Sequence, residues 1–269
     1  MNPSPAGTPA QHSPISTTPV DPGRLAGLRR YNIVVGLILL VQAVAVVALA
    51  NDFTLPVTAA YVEGPPGTAP SAPVTLLNTP IGLAVAGFLA LSGLALLIVA
   101  TLWSKGYAAD LARQRNRARW VEYALTSSMM IVLIAQITGV TDVAALAAIF
   151  AVNAAMIFFG WLQEVYEQPG GGFVPFIFGS MTGIVPWLII AFWVVSPGST
   201  SGSEPPAFVY GIIVSLFLFF NVFALNQYLQ YKQVGRWSDY LVGERTYITL
   251  SLVAKSLLAW QVFAGTLAG

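Results

Sequence analysis

Away from the basic residues that flank its apolar stretches, the chain keeps one lysine. Lys255 sits in Ser251-Leu252-Val253-Ala254-Lys255-Ser256-Leu257-Leu258-Ala259-Trp260. A lysine in the middle of an apolar helix costs at least about 2.5 kcal/mol on insertion scales, so such a residue reads as functional. Burial disfavours a charged ammonium and makes a neutral, nucleophilic amine available. An amine that condenses with an aldehyde gives an imine. A protonated imine conjugated to a polyene absorbs visible light. The plainer alternative is a lysine that only pairs with a carboxylate between helices.

A buried cation needs an anion beside it. Glu122, in Arg119-Trp120-Val121-Glu122-Tyr123, is the candidate. The other acids considered, Asp142, Glu164, Glu167, Glu204, Asp239 and Glu244, fall at the ends of apolar stretches or in loops. Glu122 lies about 4.5 Å deeper than Arg119, and Lys255 about 15 Å deeper than Arg245, at 1.5 Å per residue. Helical side chains lean toward the N-terminus, so a lysine arm reaches back across part of that gap. The competing expectation pairs Glu122 with Arg119 at the membrane edge.

Further polar groups could line the same interior. Ser251 precedes Lys255 by one turn, and Thr126 follows Glu122 by one turn, beside Ser127 and Ser128. Asn153, Asn221, Asn226 and Gln227 lie within other apolar stretches. Met130, Met156, Trp187, Phe220 and Trp260 are candidate apolar walls, and Pro186 is expected to kink its helix.

The elements that must position these residues are membrane helices. The chain has 269 residues, of which 56% are hydrophobic and 9% charged. A soluble domain carries roughly 25% charged residues. Net charge is +1, which gives no global field for nucleic acid. Cysteine is absent and the single histidine is His12, which removes disulfides, thiolate sites and a Ser-His-Asp triad from consideration. A span needs about 20 apolar residues. Seven stretches qualify, at about 30–50, 79–103, 119–139, 142–163, 173–195, 207–231 and 246–267. Residues 1–23, with Pro3, Pro5, Pro9, Pro14, Pro19 and Pro22, read as a disordered cytoplasmic tail, and 24–269 as the helical domain.

Every Lys and Arg other than Lys255 falls on one side of these spans. By the positive-inside rule the N-terminus is cytoplasmic and the C-terminus extracellular. In the longest outer connection, about 51–78, extended residues flank Gly64-Pro65-Pro66-Gly67, a pattern that suits a short β-hairpin or an irregular linker equally. Asp142 is placed to cap the fourth span.

Together these residues resemble a known family. Seven spans, a lysine in the seventh and Arg-x-x-carboxylate-aromatic in the third look like a microbial rhodopsin. The inside N-terminus, with Arg119-Trp120-Val121-Glu122-Tyr123, then Ser127-Ser128-Met129, and Ser251-Leu252-Val253-Ala254-Lys255-Ser256, is similar to the heliorhodopsins. The stretch from Asn153 to Glu164 and Asn226-Gln227-Tyr228 look like that family too.

The resemblance implies a rhodopsin-like bundle with all-trans retinal bound to Lys255 as a Schiff base, Glu122 as sole counterion and Ser251 beside the linkage. It implies pocket positions Tyr123, Ser127, Met130, Asn153, Met156, Gly160, Trp187, Phe220, Gln227 and Trp260. It further implies a homodimer in the cell membrane and a slow, sensory photocycle acting on a signalling partner. It implies no enzyme. One departure is that no span contains histidine, which heliorhodopsins commonly carry near the chromophore. The alternative function is a light-driven proton pump or channel. Against it, the chain offers one well-placed carboxylate, and Ser251 stands where ordinary pumps typically have an aspartate.

Overall fold

The computed structural model describes residues 20–167, 169–195 and 204–267. In chain order these form α1 (Pro22–Leu49), β1 (Thr54–Ala59), β2 (Val74–Pro80), α2 (Ile81–Ala100), α3 (Ser104–Leu111), α4 (Arg117–Ile137), α5 (Val143–Tyr166), α6 (Val174–Val195), α7 (Ala207–Tyr231) and α8 (Tyr240–Val262). A 3-10 turn, Gly235–Ser238, precedes α8, and a π turn, Phe263–Leu267, follows it. Among the described residues seven helices are long and apolar enough to cross a membrane, all but α3. The chain is a multi-pass membrane protein.

The helices begin where short polar side chains satisfy free backbone N–H groups. Asp21 accepts from Arg24 N at 2.9 Å, with Pro22 at the first helical position. Asn116 accepts from Arg119 N at 3.1 Å, Asp142 from Ala145 N at 2.9 Å, and Asp239 from Leu241 N at 3.0 Å. The first cap starts α1 at Pro22 rather than near residue 30, so Pro22 and Gly23 belong to a helix and not to a tail. Residues 1–19 of the expected tail lie outside the described residues. The last cap starts α8 at Tyr240 rather than near 246 and carries Glu244 into the helix.

Two elements lie outside the spans. The strands β1 and β2 pair antiparallel, from Thr54 opposite Pro80 to Val57 opposite Leu77, with a register shift between Val57 and Thr58. This is the hairpin rather than the irregular linker. It is tied to the turn between α4 and α5, where Thr58 N donates to Thr141 O at 2.8 Å. The amphipathic α3 has no counterpart in the expected spans. It buries Tyr107, Asp110 and Leu111 at the end of the bundle where α1 begins.

The bundle is apolar outside and polar within, as hydrocarbon solvent requires. Val41, Val44, Leu83 and Leu188 are exposed, while Asn32, Ser92, Glu122, Asn153 and Lys255 are buried. Helices α1 and α2 meet backbone to backbone. A Cβ at Gly36 would stand 2.9 Å from Gly93 O, and one at Gly93 would stand 2.8 Å from Gly36 O. Only glycine allows that approach.

Candidate functional site

Helices α4 and α8 supply the charges. On α4, Arg119, Glu122, Tyr123, Thr126 and Met130 recur at three- and four-residue spacing and are all buried. On α8 the same spacing buries Glu244, Tyr247, Ile248, Ser251, Lys255 and Leu258. The two stripes face each other, and each carries one cation and at least one carboxylate.

The deeper centre joins Lys255 to Glu122, with Nζ 3.0 Å from Oε1. The lysine arm leans back toward the start of α8, and Nζ donates to Ser251 Oγ one turn earlier at 2.5 Å. That lean closes the gap in depth expected between the two residues. Thr126 Oγ1 also donates to Glu122 Oε1, at 2.8 Å, as does Ser92 Oγ from α2. Glu122 is therefore held as an acceptor by groups from three helices. Nζ stands 5.0 Å from the centroid of the Tyr123 ring, a cation over an aromatic face.

Arg119 does not pair with Glu122. Its guanidinium bonds Glu164 at the end of α5 through Nη2 and Glu244 at the start of α8 through Nη1. Both carboxylates lie near helix ends, as their sequence positions indicate, but both are buried. Glu164 also accepts from Trp120 Nε1 at 2.5 Å, Asn116 N at 3.0 Å and Tyr240 Oη at 2.9 Å. Glu244 also accepts from Asn116 Nδ2 at 2.6 Å and Tyr107 Oη at 3.0 Å. Burial holds the Tyr107 phenol of α3 well above its ordinary range, so it keeps its proton.

A cavity opens beside the lysine, walled mostly by apolar side chains. Of the expected pocket positions, Tyr123, Ser127, Met130, Met156, Gly160, Phe220, Gln227, Ser251 and Lys255 line it. Gly160 is required there, because a Cβ would meet Trp120 Cζ3 at 2.5 Å. Asn153 stands one layer behind, donating to Ser127 Oγ at 2.8 Å and Ser128 Oγ at 3.0 Å. Trp187 also stands behind the wall, its ring edge-on to Phe220 with centroids 5.4 Å apart. Trp260 is not brought to the cavity. It faces outward, and its Nε1 donates to Gln42 Oε1 of α1 at 2.9 Å.

Sequence reasoning missed several wall residues, among them Trp120, Ile157, Phe176, Gly179, Phe223 and Tyr247. It also missed Ser92. A serine between Leu91 and Gly93 in an apolar helix gives no signal of its own, but the one-turn spacings Trp120 to Tyr123 and Tyr247 to Ser251 were readable.

The cavity fits a long apolar molecule that ends in an electrophile: ring and thioether walls, with a single amine on the boundary. The fold has a counterpart among solved structures. A crystal structure of thermophilic rhodopsin matches with a TM-score of 0.54 and 13% sequence identity, covering 90% of this chain and 92% of that one. At that identity the likeness shows the fold, a rhodopsin-like bundle. No curated protein matches the chain. The family model described as Heliorhodopsin matches residues 28–267, and the chain belongs to the heliorhodopsin family. It is thus a retinal photoreceptor of the membrane, in a family that is not a class of enzymes.

Proposed function

We propose that the chain holds all-trans retinal covalently on Lys255, with Glu122 as its counterion, and serves as a sensory or regulatory light receptor. The observation that carries this reading is the placement of Lys255 Nζ on the wall of the apolar cavity, 3.0 Å from Glu122. When bound, retinal supplies visible absorption and a light-driven change of shape. The chain's own residues do the rest. Ser251 and Glu122 fix the direction of the lysine nitrogen. Ser92 and Thr126 hold the Glu122 carboxylate in place by donating to it. Met130, Met156 and Phe220 exclude water along the cavity, while Asn153 steadies Ser127. Trp187 backs Phe220, and Gly160 leaves room for Trp120. Gln227 is spent on structure, donating to Gly160 O at 3.1 Å. Trp260 acts only through the packing of α8 on α1.

Little or no ion transport is expected, because a pump needs a donor and an acceptor on opposite sides of the lysine. The carboxylates that contact the two buried cations lie beside Lys255 or toward the start of α1. We further propose a homodimer acting on a signalling partner, with the N-terminus cytoplasmic and the C-terminus outside. The one-sided distribution of Lys and Arg supports that direction.

Lys255→Ala is the decisive test. The variant is expected to fold and stay colourless with retinal, and a variant that still binds retinal covalently overturns the assignment. A tag at the N-terminus reached from outside intact cells reverses the orientation. Sustained, protonophore-sensitive acidification of an illuminated cell suspension establishes a pump instead.

A further inference from the structure

The two buried charged centres do not balance alike. Lys255 and Glu122 are one cation and one anion. Arg119 is one cation shared by two carboxylates, Glu164 and Glu244, and among the described residues no second lysine or arginine pairs with either. Two carboxylates that share one cation away from water do not both stay ionised, and one takes a proton.

The hydrogen bonds say which one. Glu164 accepts from a guanidinium, an indole N–H and a backbone N–H, none of which can accept in return, and from the Tyr240 hydroxyl. Those four donors fill the acceptor sites of an ionised carboxylate, whereas Glu244 meets three. Glu244 accepts from Arg119, from the Asn116 amide and from the Tyr107 hydroxyl. That hydroxyl can turn to accept a proton from a carboxylic acid, and the Asn32 amide already donates to it at 3.3 Å.

Glu244 also borders a second cavity. Asn32, Tyr107, Asn116 and Glu244 line it toward one end of the bundle, and Glu122 and Ser251 line it deeper in. From Glu244 to Ser251 is seven residues, about 10.5 Å along the helix. The cavity has room for about two waters. Two carboxyl groups, two tyrosines, two amides, the Arg119 guanidinium and the Ser251 hydroxyl on its walls offer them partners. None of its wall residues is a histidine, so carboxyl and phenol groups are the proton carriers available there.

We propose that Glu244 carries the resident proton of the Arg119 cluster, and that the second cavity is a hydrated link between this proton and the Lys255–Glu122 pair. The groups facing Glu244 are Tyr107 from α3, Asn116 and Arg119 from α4, Glu164 of α5 through Arg119, and Tyr240 and Tyr247 on α8 itself. A change of charge at Lys255 alters the orientation of the cavity waters and so the hydrogen bond of the Glu244 acid. Only that link rests on the retinal reading; the resident proton does not.

Infrared spectroscopy of the full chain without retinal tests the proton by itself. A carboxylic-acid carbonyl band that shifts in D2O is expected at neutral pH. Glu244→Gln removes it, Glu244→Asp and Tyr107→Phe move it, Glu122→Gln leaves it in place, and Glu164→Gln, which leaves Arg119 with a single carboxylate, removes it as well. Absence of the band, its loss in Glu122→Gln, or a band unmoved by Tyr107→Phe, which touches Glu244 and not Glu164, overturns the proposal. Because Tyr107→Phe leaves both carboxylates intact, it decides the matter if Glu244→Gln fails to fold. With retinal bound, illumination is expected to shift the same band. A band that is present in the dark and unmoved by light overturns the hydrated link while leaving the retinal assignment to the colour of Lys255→Ala.

Discussion

Helices α4 and α8 carry opposite charges at two depths. Near the start of the bundle α4 presents Arg119 to Glu244 of α8, and deeper in it presents Glu122 to Lys255. The signs are exchanged between the two levels. The shallow level uses arginine, whose planar fork holds two carboxylates and does not give up its charge. The deep level uses lysine, whose amine can lose a proton and form a covalent bond. One level is built to stay charged and tie three helices together, and the other is built to react. The difference comes from a single extra residue, Glu164 on α5, and from the choice of cation.

The contrast can be broken most severely at the shallow level. Arg119→Leu leaves two buried carboxylates without a cation, and removing one partner of a buried pair typically costs about 3–5 kcal/mol. Thermal unfolding of the variant in detergent is expected to fall by several degrees, and a midpoint equal to wild type would show that Arg119 is not a structural tie. At the deep level, Glu122→Gln is expected to preserve the fold and change the chromophore. The remaining cation loses its anion, so the visible band moves to longer wavelength and the colour titrates away at lower pH than in wild type. An unchanged maximum and an unchanged titration would hand the counterion role to another group. The smallest effect is expected at the cavity wall. Gly160→Ala places a methyl 2.5 Å from Trp120 Cζ3. Overpacking of this kind costs about 1–3 kcal/mol. Slower or weaker uptake of retinal is the readout, and normal uptake would show that Trp120 can give way.

Much of the deep level was legible in the sequence because its signal lies along single helices. A lone lysine in an apolar run and a glutamate three residues past an arginine need no tertiary information. The cap at Asp142 was readable for the same local reason, and the hairpin flanking Gly64 to Gly67 only as one of two alternatives. The shallow level was not legible. Glu164 and Glu244 stand at the ends of apolar runs, where charge is ordinary, and only the convergence of α4, α5 and α8 on Arg119 buries them. The short α3 was hidden because its apolar face is just wide enough to bury Tyr107 and Leu111. Trp260 shows the opposite failure. Five residues past Lys255 is about 140° around the helix, a turn that already points it away from the lysine face.

The glycine crossing of α1 and α2 touches neither charged level, yet both depend on it. Asn32 lies one turn before Gly36 and holds Tyr107, the donor to Glu244. Ser92 immediately precedes Gly93 and donates to Glu122. The crossing thus serves as the benchmark from which the heights of both acids' partners are measured. A methyl group at either glycine would displace the two reference marks together. In a lineage of such chains, change at these two silent positions would be inherited as a change in colour and in proton affinity, although neither residue meets the ligand or a charge.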